Sequence, residues 1–225
     1  MNKDMPTAGY YNYTPMFVGV DGSNPAVKDI VPSTSDTTVE DLGEAKINLF
    51  VLDTSRKFAK TFAYKTVDGD WMDVDGWYFG DEEEPTDYTL GPGESLQVMA
   101  PYQLTLTMAG AVDQGAYDFT APAAGYYMIG NQHATNMPLN DIVPSTSDPT
   151  VEDLGEAKIN LFVLDTSRKF AKTFSYKTED GDWMDEDGWY FGDEEEPTNY
   201  ELAPGEVLQF LAPYQVKLSF PGQSL

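Results

Sequence analysis

The chain of 225 residues contains no cysteine, so it has no disulfide, no thiol nucleophile and no thiolate metal ligand. That absence leaves the compartment open, because both cytosolic proteins and disulfide-free secreted bacterial proteins share it. Histidine is nearly absent too, with His133 alone. Basic residues are few: 13 Lys and Arg stand against 38 Asp and Glu, giving a formal charge of −25. Such a charge repels phosphate, which excludes nucleic acid as a natural partner and disfavours an anionic membrane surface. No apolar run approaches the roughly 18 residues that a membrane-spanning helix needs. The opening residues, MNKDMPTAGYY, contain no apolar segment of a secretion signal's length, so none is expected within this chain. Neither GxGxxG nor GxxxxGK is present, so no phosphate-cradling loop is expected.

What is present is apolar and aromatic enough to fold. Apolar residues make up 41% and aromatics 13%, well above the composition of a disordered acidic tail. The dominant feature is a duplication. DIVPSTSDTTVEDLGEAKINLFVLDTSRKFAKTF starts at Asp29, and a copy with one change starts at Asp141, an offset of 112. Over residues 29–108 and 141–220, 66 of 80 positions are identical. A second anchor, AGYY, stands at residues 8–11 and 124–127, an offset of 116. The first copy therefore carries four extra residues, placed in the turn-like GVDGSNP stretch. The repeats divide the chain into a first unit over 1–110, a connector over 111–123 and a second unit over 124–225. Most differences are mild, and four preserve an apolar group: Leu104/Val216, Met99/Leu211, Met108/Phe220 and Val98/Phe210. Others add charge, as in Val67/Glu179, Val74/Glu186 and Thr105/Lys217, and these predict solvent-facing positions.

The local signals are β. Tyr102, Leu104, Leu106 and Met108 alternate with polar residues, the pattern of a half-buried strand, and Tyr214, Val216, Leu218 and Phe220 repeat it. Residues 47–52 form an apolar run suited to a central strand. The turn-like DTSR and the strand 58–66 make it a hairpin, with Phe58, Phe62 and Tyr64 expected on one side. A helical turn is expected only around 38–45, capped by Asp36 or Thr37. The fold class is all-β: two tandem β-sandwich domains of jelly-roll or immunoglobulin-like type.

Acid is concentrated in DGDWMDVDGWYFGDEEEP and its copy, where residues 67–91 and 179–203 hold 20 of the 38 carboxylates. Ca²⁺ takes six to eight hard oxygen ligands, so these loops are a candidate calcium site. The ligand candidates are Asp68, Asp70, Asp73, Asp75 and Asp81, with Asp180, Asp182, Asp185, Asp187 and Asp193 in the copy. The EF-hand spacing fails, because counting from Asp73 places Tyr78 where glycine is needed. The plainer reading is a solvated turn whose rings pack inward. The same loop offers Trp71 with Trp77, and Trp183 with Trp189, as a platform for a carbohydrate ligand. Coplanar exposed rings would favour that reading and buried indoles would remove it.

A catalytic reading has little to stand on. A carboxylate pair for glycoside hydrolysis can be drawn anywhere among 38 acids. Ser33, Ser35 and Ser55 have no histidine in their own copy, and His133 reads as a surface loop residue. No enzyme is expected.

Three motifs, AGYYMIGN, DGWYFGDEEEP and LAPGEVLQFLAP followed by an alternating strand, resemble a repeat unit of large secreted proteins from Planctomycetes and Verrucomicrobia relatives. The resemblance covers each whole unit and implies an extracellular β-sandwich repeat with no assigned activity. The expected role is a structural subunit of a bacterial extracellular or cell-surface fibre that associates head to tail with copies of itself, by strand donation from residues 1–13 or 111–121. Candidate interface residues are Arg56, Lys57, Lys60, Arg168, Lys169, Lys172, Tyr10, Tyr11, Tyr117 and Phe119. The alternative is a carbohydrate-binding or other ligand-binding surface module stabilised by Ca²⁺.

Overall fold

The structure is a computed structural model that describes residues 2–15, 17–18, 23–52, 55, 57–91, 94–112, 115–155, 158–164, 169–182 and 184–222. It is all-β. The first copy contributes β1 (Asn2–Met5), β2 (Gly9–Tyr13), β3 (Phe17–Val18), β4 (Ile30–Ser33), β5 (Asn48–Leu52), β6 (Phe58–Lys65), β7 (Gly76–Phe79), β8 (Leu96–Ala100), β9 (Leu104–Met108) and β10 (Ala111–Val112). The second contributes β11 (Tyr117–Ala121), β12 (Gly125–Gly130), β13 (Met137–Pro138), β14 (Val143–Ser145), β15 (Asn160–Leu164), β16 (Phe170–Lys177), β17 (Gly188–Phe191), β18 (Glu201–Leu202), β19 (Val207–Ala212) and β20 (Val216–Phe220).

Each sheet is assembled within one copy. The first copy forms a five-stranded antiparallel sheet, β2-β8-β5-β6-β7, and a three-stranded sheet, β1-β9-β4. The second repeats both as β12-β19-β15-β16-β17 and β11-β20-β14. β5 is central, as its apolar run implies. The core lies between the two sheets, so the layers form a sandwich. Met5, Leu104, Leu106 and Met108 from the small sheet meet Leu49, Phe62, Trp77 and Val98 from the large one. The second core matches, with Ala121, Val216, Leu218 and Phe220 meeting Leu161, Phe174, Trp189 and Phe210. A hydrogen bond also crosses each sandwich. Trp77 Nε1 donates to Ile30 O at 2.7 Å and Trp189 Nε1 donates to Ile142 O at 2.8 Å.

The structure corrects five sequence expectations. First, β11 lies inside the stretch read as a connector and pairs with β20, while β10 pairs with β3. The rule of alternation is weak over a five-residue strand beside Gly and Pro, which hid it. Second, the segments expected to be donated are already paired. β1 lies on β9 and β2 on β8 within the first copy, so strand donation from them is overturned. Third, the register of β5 on β6 shifts between Val51 and Leu52. That bulge turns Phe58 away from Phe62 and stacks it on Phe50, with ring centroids 3.8 Å apart. Fourth, residues 42–46 form turns; the short α-helices are instead α1 (Val67–Asp70) and α2 (Glu179–Asp182), inside the acidic loops, and single 3-10 turns stand at Val27–Asp29 and Leu139–Asp141. Fifth, His133 is buried rather than a surface residue.

Candidate functional site: the acidic loop

The loop is built on Thr66, which caps α1. Its backbone is extended, its hydroxyl accepts from Gly69 N at 3.1 Å, and the same hydroxyl donates to Asp41 Oδ1 at 2.6 Å. Asp70 closes the cap from the other side, its Oδ2 accepting from Thr66 N at 3.1 Å. This is the reciprocity of a capping box, displaced by one residue. Asp41 Oδ1 also accepts from Gly43 N at 2.7 Å. Asp75 Oδ1 accepts from Val67 N at 2.8 Å, tying the far end of the loop to the helix start. Glycine is required at Gly43 and Gly69: a β-carbon at the first would collide with the Asp70 carboxylate, and at the second with that of Asp41. The second copy reproduces the arrangement. Thr178 donates to Asp153 at 2.6 Å, Asp182 accepts from Thr178 N at 3.2 Å, and Asp187 accepts from Glu179 N at 2.9 Å.

This geometry does not gather the calcium candidates around one centre. Among the described residues, no three His, Cys, Asp or Glu side chains converge as a group able to hold a metal ion. Asp70 and Asp75, with Asp182 and Asp187, turn oxygens to backbone N–H groups rather than to a shared centre. Asp68, Asp73, Asp81, Asp180, Asp185 and Asp193 do not complete such a group either. The hydrogen bond from the Thr66 hydroxyl holds the Asp41 carboxyl below its ordinary range. The remaining charge is felt by the rings beneath. Burial pushes the Tyr64 and Tyr78 hydroxyls upward, and neighbouring carboxylates add to it, Asp75 and Asp41 for Tyr64, Asp73 and Asp75 for Tyr78.

The paired-tryptophan platform is corrected. Trp77 and Trp189 are fully buried in the two cores. Trp71 is the opposite: 91% exposed, at the end of α1 with φ +59°. That left-handed position is normally taken by Gly or Asn. Val67 and Val74, 47% and 56% exposed, sit on the same loop. Trp183, the equivalent of Trp71, lies outside the described residues.

The candidate interface residues scatter. Arg56 and Arg168 lie outside the described residues. Lys57 and Lys169 are exposed beside the hairpin bends. Lys60 is placed over the Tyr88 ring at 4.1 Å, and Lys172 over Tyr200 at 4.3 Å, so both are engaged within their own copy. Tyr11 donates to Thr7 O at 2.9 Å. Tyr117 donates to Gly130 O at 2.7 Å and stacks on Phe220, and Phe119 packs edge-on against Tyr127. Tyr10 is half-buried near Phe50. Sequence reasoning missed Asp41, Thr66 and their equivalents Asp153 and Thr178. The available signal was a threonine followed four residues later by aspartate, at the end of a strand.

No helix among the described residues is long and apolar enough to cross a membrane. No family model, curated protein or solved structure matches the chain.

Proposed function

We propose that the chain is a non-catalytic structural module of a bacterial extracellular or cell-surface assembly, and that it joins other copies of itself through the tip of the first acidic loop. One observation carries the reading. Trp71 is held on a rigidly capped loop, in a backbone conformation that costs a bulky residue about 1–2 kcal/mol, with its ring in solvent. Val67 and Val74 extend the apolar tip. A ring so placed adds nothing to its own fold, whereas a partner that covers it would gain apolar burial. A charge of −25 opposes association of like molecules, so assembly is favoured when salt screens that repulsion.

Light scattering at rising protein concentration, in low and high salt, tests this. The expected result is mass growth above the 25.0 kDa chain in high salt, reduced by Trp71→Ala. A steady single-chain mass in both conditions overturns it. The exposed Trp71 ring among carboxylates also supports a second reading, a carbohydrate-binding surface, and glycan binding abolished by Trp71→Ala would favour that one instead.

A further inference from the structure

The two copies touch, and the way they touch has a symmetry. Two cavities lie between them. In one, of about 450 Å³, Val51, Leu52 and Glu94 of the first copy share the lining with Tyr127 and Met128 of the second. In the other, of about 160 Å³, Tyr11 and Asn12 of the first copy share the lining with Val163, Leu164 and Glu206 of the second. Under the offsets of 112 and 116, these are the same residues with the copies exchanged. Val51, Leu52 and Glu94 correspond to Val163, Leu164 and Glu206, and Tyr11 and Asn12 correspond to Tyr127 and Met128. Lys3 and Phe119 extend the exchange, each lining its own cavity.

A contact in which residue i meets j and j meets i is isologous, the signature of a two-fold axis. A tandem related by translation alone would present two different surfaces and could not give this reciprocity. Where residues reach a two-fold axis, each meets its own equivalent. Thr14 and Gly130 do so: they occupy the same register position at the ends of β2 and β12, and a β-carbon on Gly130 would collide with the Thr14 side chain. Only one of the two can carry a side chain there. Thr14 does, fully buried and hydrogen-bonded to Ser95, and its equivalent is glycine. Beside the axis, Glu94 bridges Ile129 antiparallel across the boundary.

We infer that the two copies pack through a pseudo-two-fold, self-complementary interface, so that the chain is a fused dimer and the surface bounded by β2, the residues before β8 and the end of β5 recognises a second unit of its own kind. The copies have diverged across this axis. Ser95, Asn12 and Lys3 line it on the first copy where Val207, Met128 and Phe119 line it on the second. One cavity is thereby more apolar and the other more polar. The inference does not rest on the assembly reading, since it concerns a contact within one chain.

The absence of native cysteine allows a direct test by paired spin labels. Thr7 corresponds to Ala123, and Lys57 to Lys169, all four exposed. The double variants Thr7→Cys/Lys169→Cys and Lys57→Cys/Ala123→Cys are labelled in the full chain. A two-fold relation makes their interlabel distance distributions superimpose. A translational tandem makes them differ, by up to twice the separation of the two sites along the repeat axis, and distributions that differ overturn the inference. A second measurement nicks the folded full chain at a protease site inserted after Gly115. The two pieces are expected to co-elute at the mass of the intact chain, and separation on dilution would overturn the claim that the surface recognises its own kind.

Discussion

The first and second copies are built from the same internal bonds and differ mainly in what faces outward or faces the other copy. The Thr66–Asp41 and Thr178–Asp153 bonds are both 2.6 Å, and Lys46 and Lys158 take the same left-handed backbone, at φ +58° and +56°. At the loop tip, by contrast, Val67 and Val74 become Glu179 and Glu186, both valines being exposed. On the small sheet, Thr105 donates to Asp4 at 2.8 Å in the first copy, whereas in the second Lys217 reaches Asp118 at 3.2 Å. At the axis between copies, Thr14 stands against Gly130. The polar bonds that cap the acidic loop are kept, core positions such as Val98/Phe210 and Leu104/Val216 change only among apolar groups, and positions facing solvent or the other copy change in charge and polarity.

The largest test of that equivalence is in the cores. Trp77→Ala and Trp189→Ala are each expected to destabilise the protein by about 3–5 kcal/mol, because each empties a fully buried site and leaves a carbonyl unpaired. Denaturant unfolding followed copy by copy through hydrogen exchange reads the outcome. Clearly unequal losses would show that the cores are not interchangeable.

Alkali should separate the copies. Burial raises Tyr13 well above the ordinary phenol range, and Tyr102 is pushed up to about 12 by burial, with Asp36 and Asp41 adding to it. Tyr88 and Tyr200 are raised by burial and by the Glu94 and Glu206 carboxylates that accept their hydroxyls. A raised folded pKa means stability fully present below the unfolded value, about 10, and lost as pH climbs toward the folded one. Both copies are therefore expected to weaken above that pH. The first should open earlier, because Tyr13 lies in its core where the second copy has Ile129. Tyrosinate absorbance and hydrogen exchange against pH check this, and Tyr13→Ile should abolish the difference.

Thr66→Ala and Thr178→Ala form the next pair. Each loses an N-cap and strips Asp41 or Asp153 of its hydroxyl donor, for an expected cost of about 1–2 kcal/mol in either copy. Thr→Ser at the same places should recover most of it, since serine keeps the hydroxyl.

Much of the fold was legible because strand alternation is local. Leu104, Leu106 and Met108 are buried as their spacing implies, and residues 47–66 are the hairpin expected. The Phe58 side was not legible, because a one-residue bulge inverts facing without leaving a mark in composition. The loop was ambiguous for a different reason. Nine carboxylates in residues 67–91 resemble an ion site, but a carboxylate also satisfies backbone N–H groups, and the spacing of Asp70 and Asp75 suits either task. Trp71 and Trp77 look alike in sequence and are opposite in burial. The reciprocal contact between copies was hidden because a repeat offset carries no information on how two units are rotated.

His133 gives the smallest and sharpest comparison. It is buried, its ring centroid 5.6 Å from that of Tyr117, and neither ring nitrogen has a hydrogen-bond partner among the described residues. A buried polar atom without a partner costs about 1–3 kcal/mol. Counting from AGYY, the first copy has Phe17 at the equivalent position. His133→Phe should therefore stabilise the protein by about 1 kcal/mol, the lower end, because the larger ring must settle against its neighbours. Thermal unfolding of the variant beside the parent chain reads this gain, and an unchanged or lowered midpoint would overturn it.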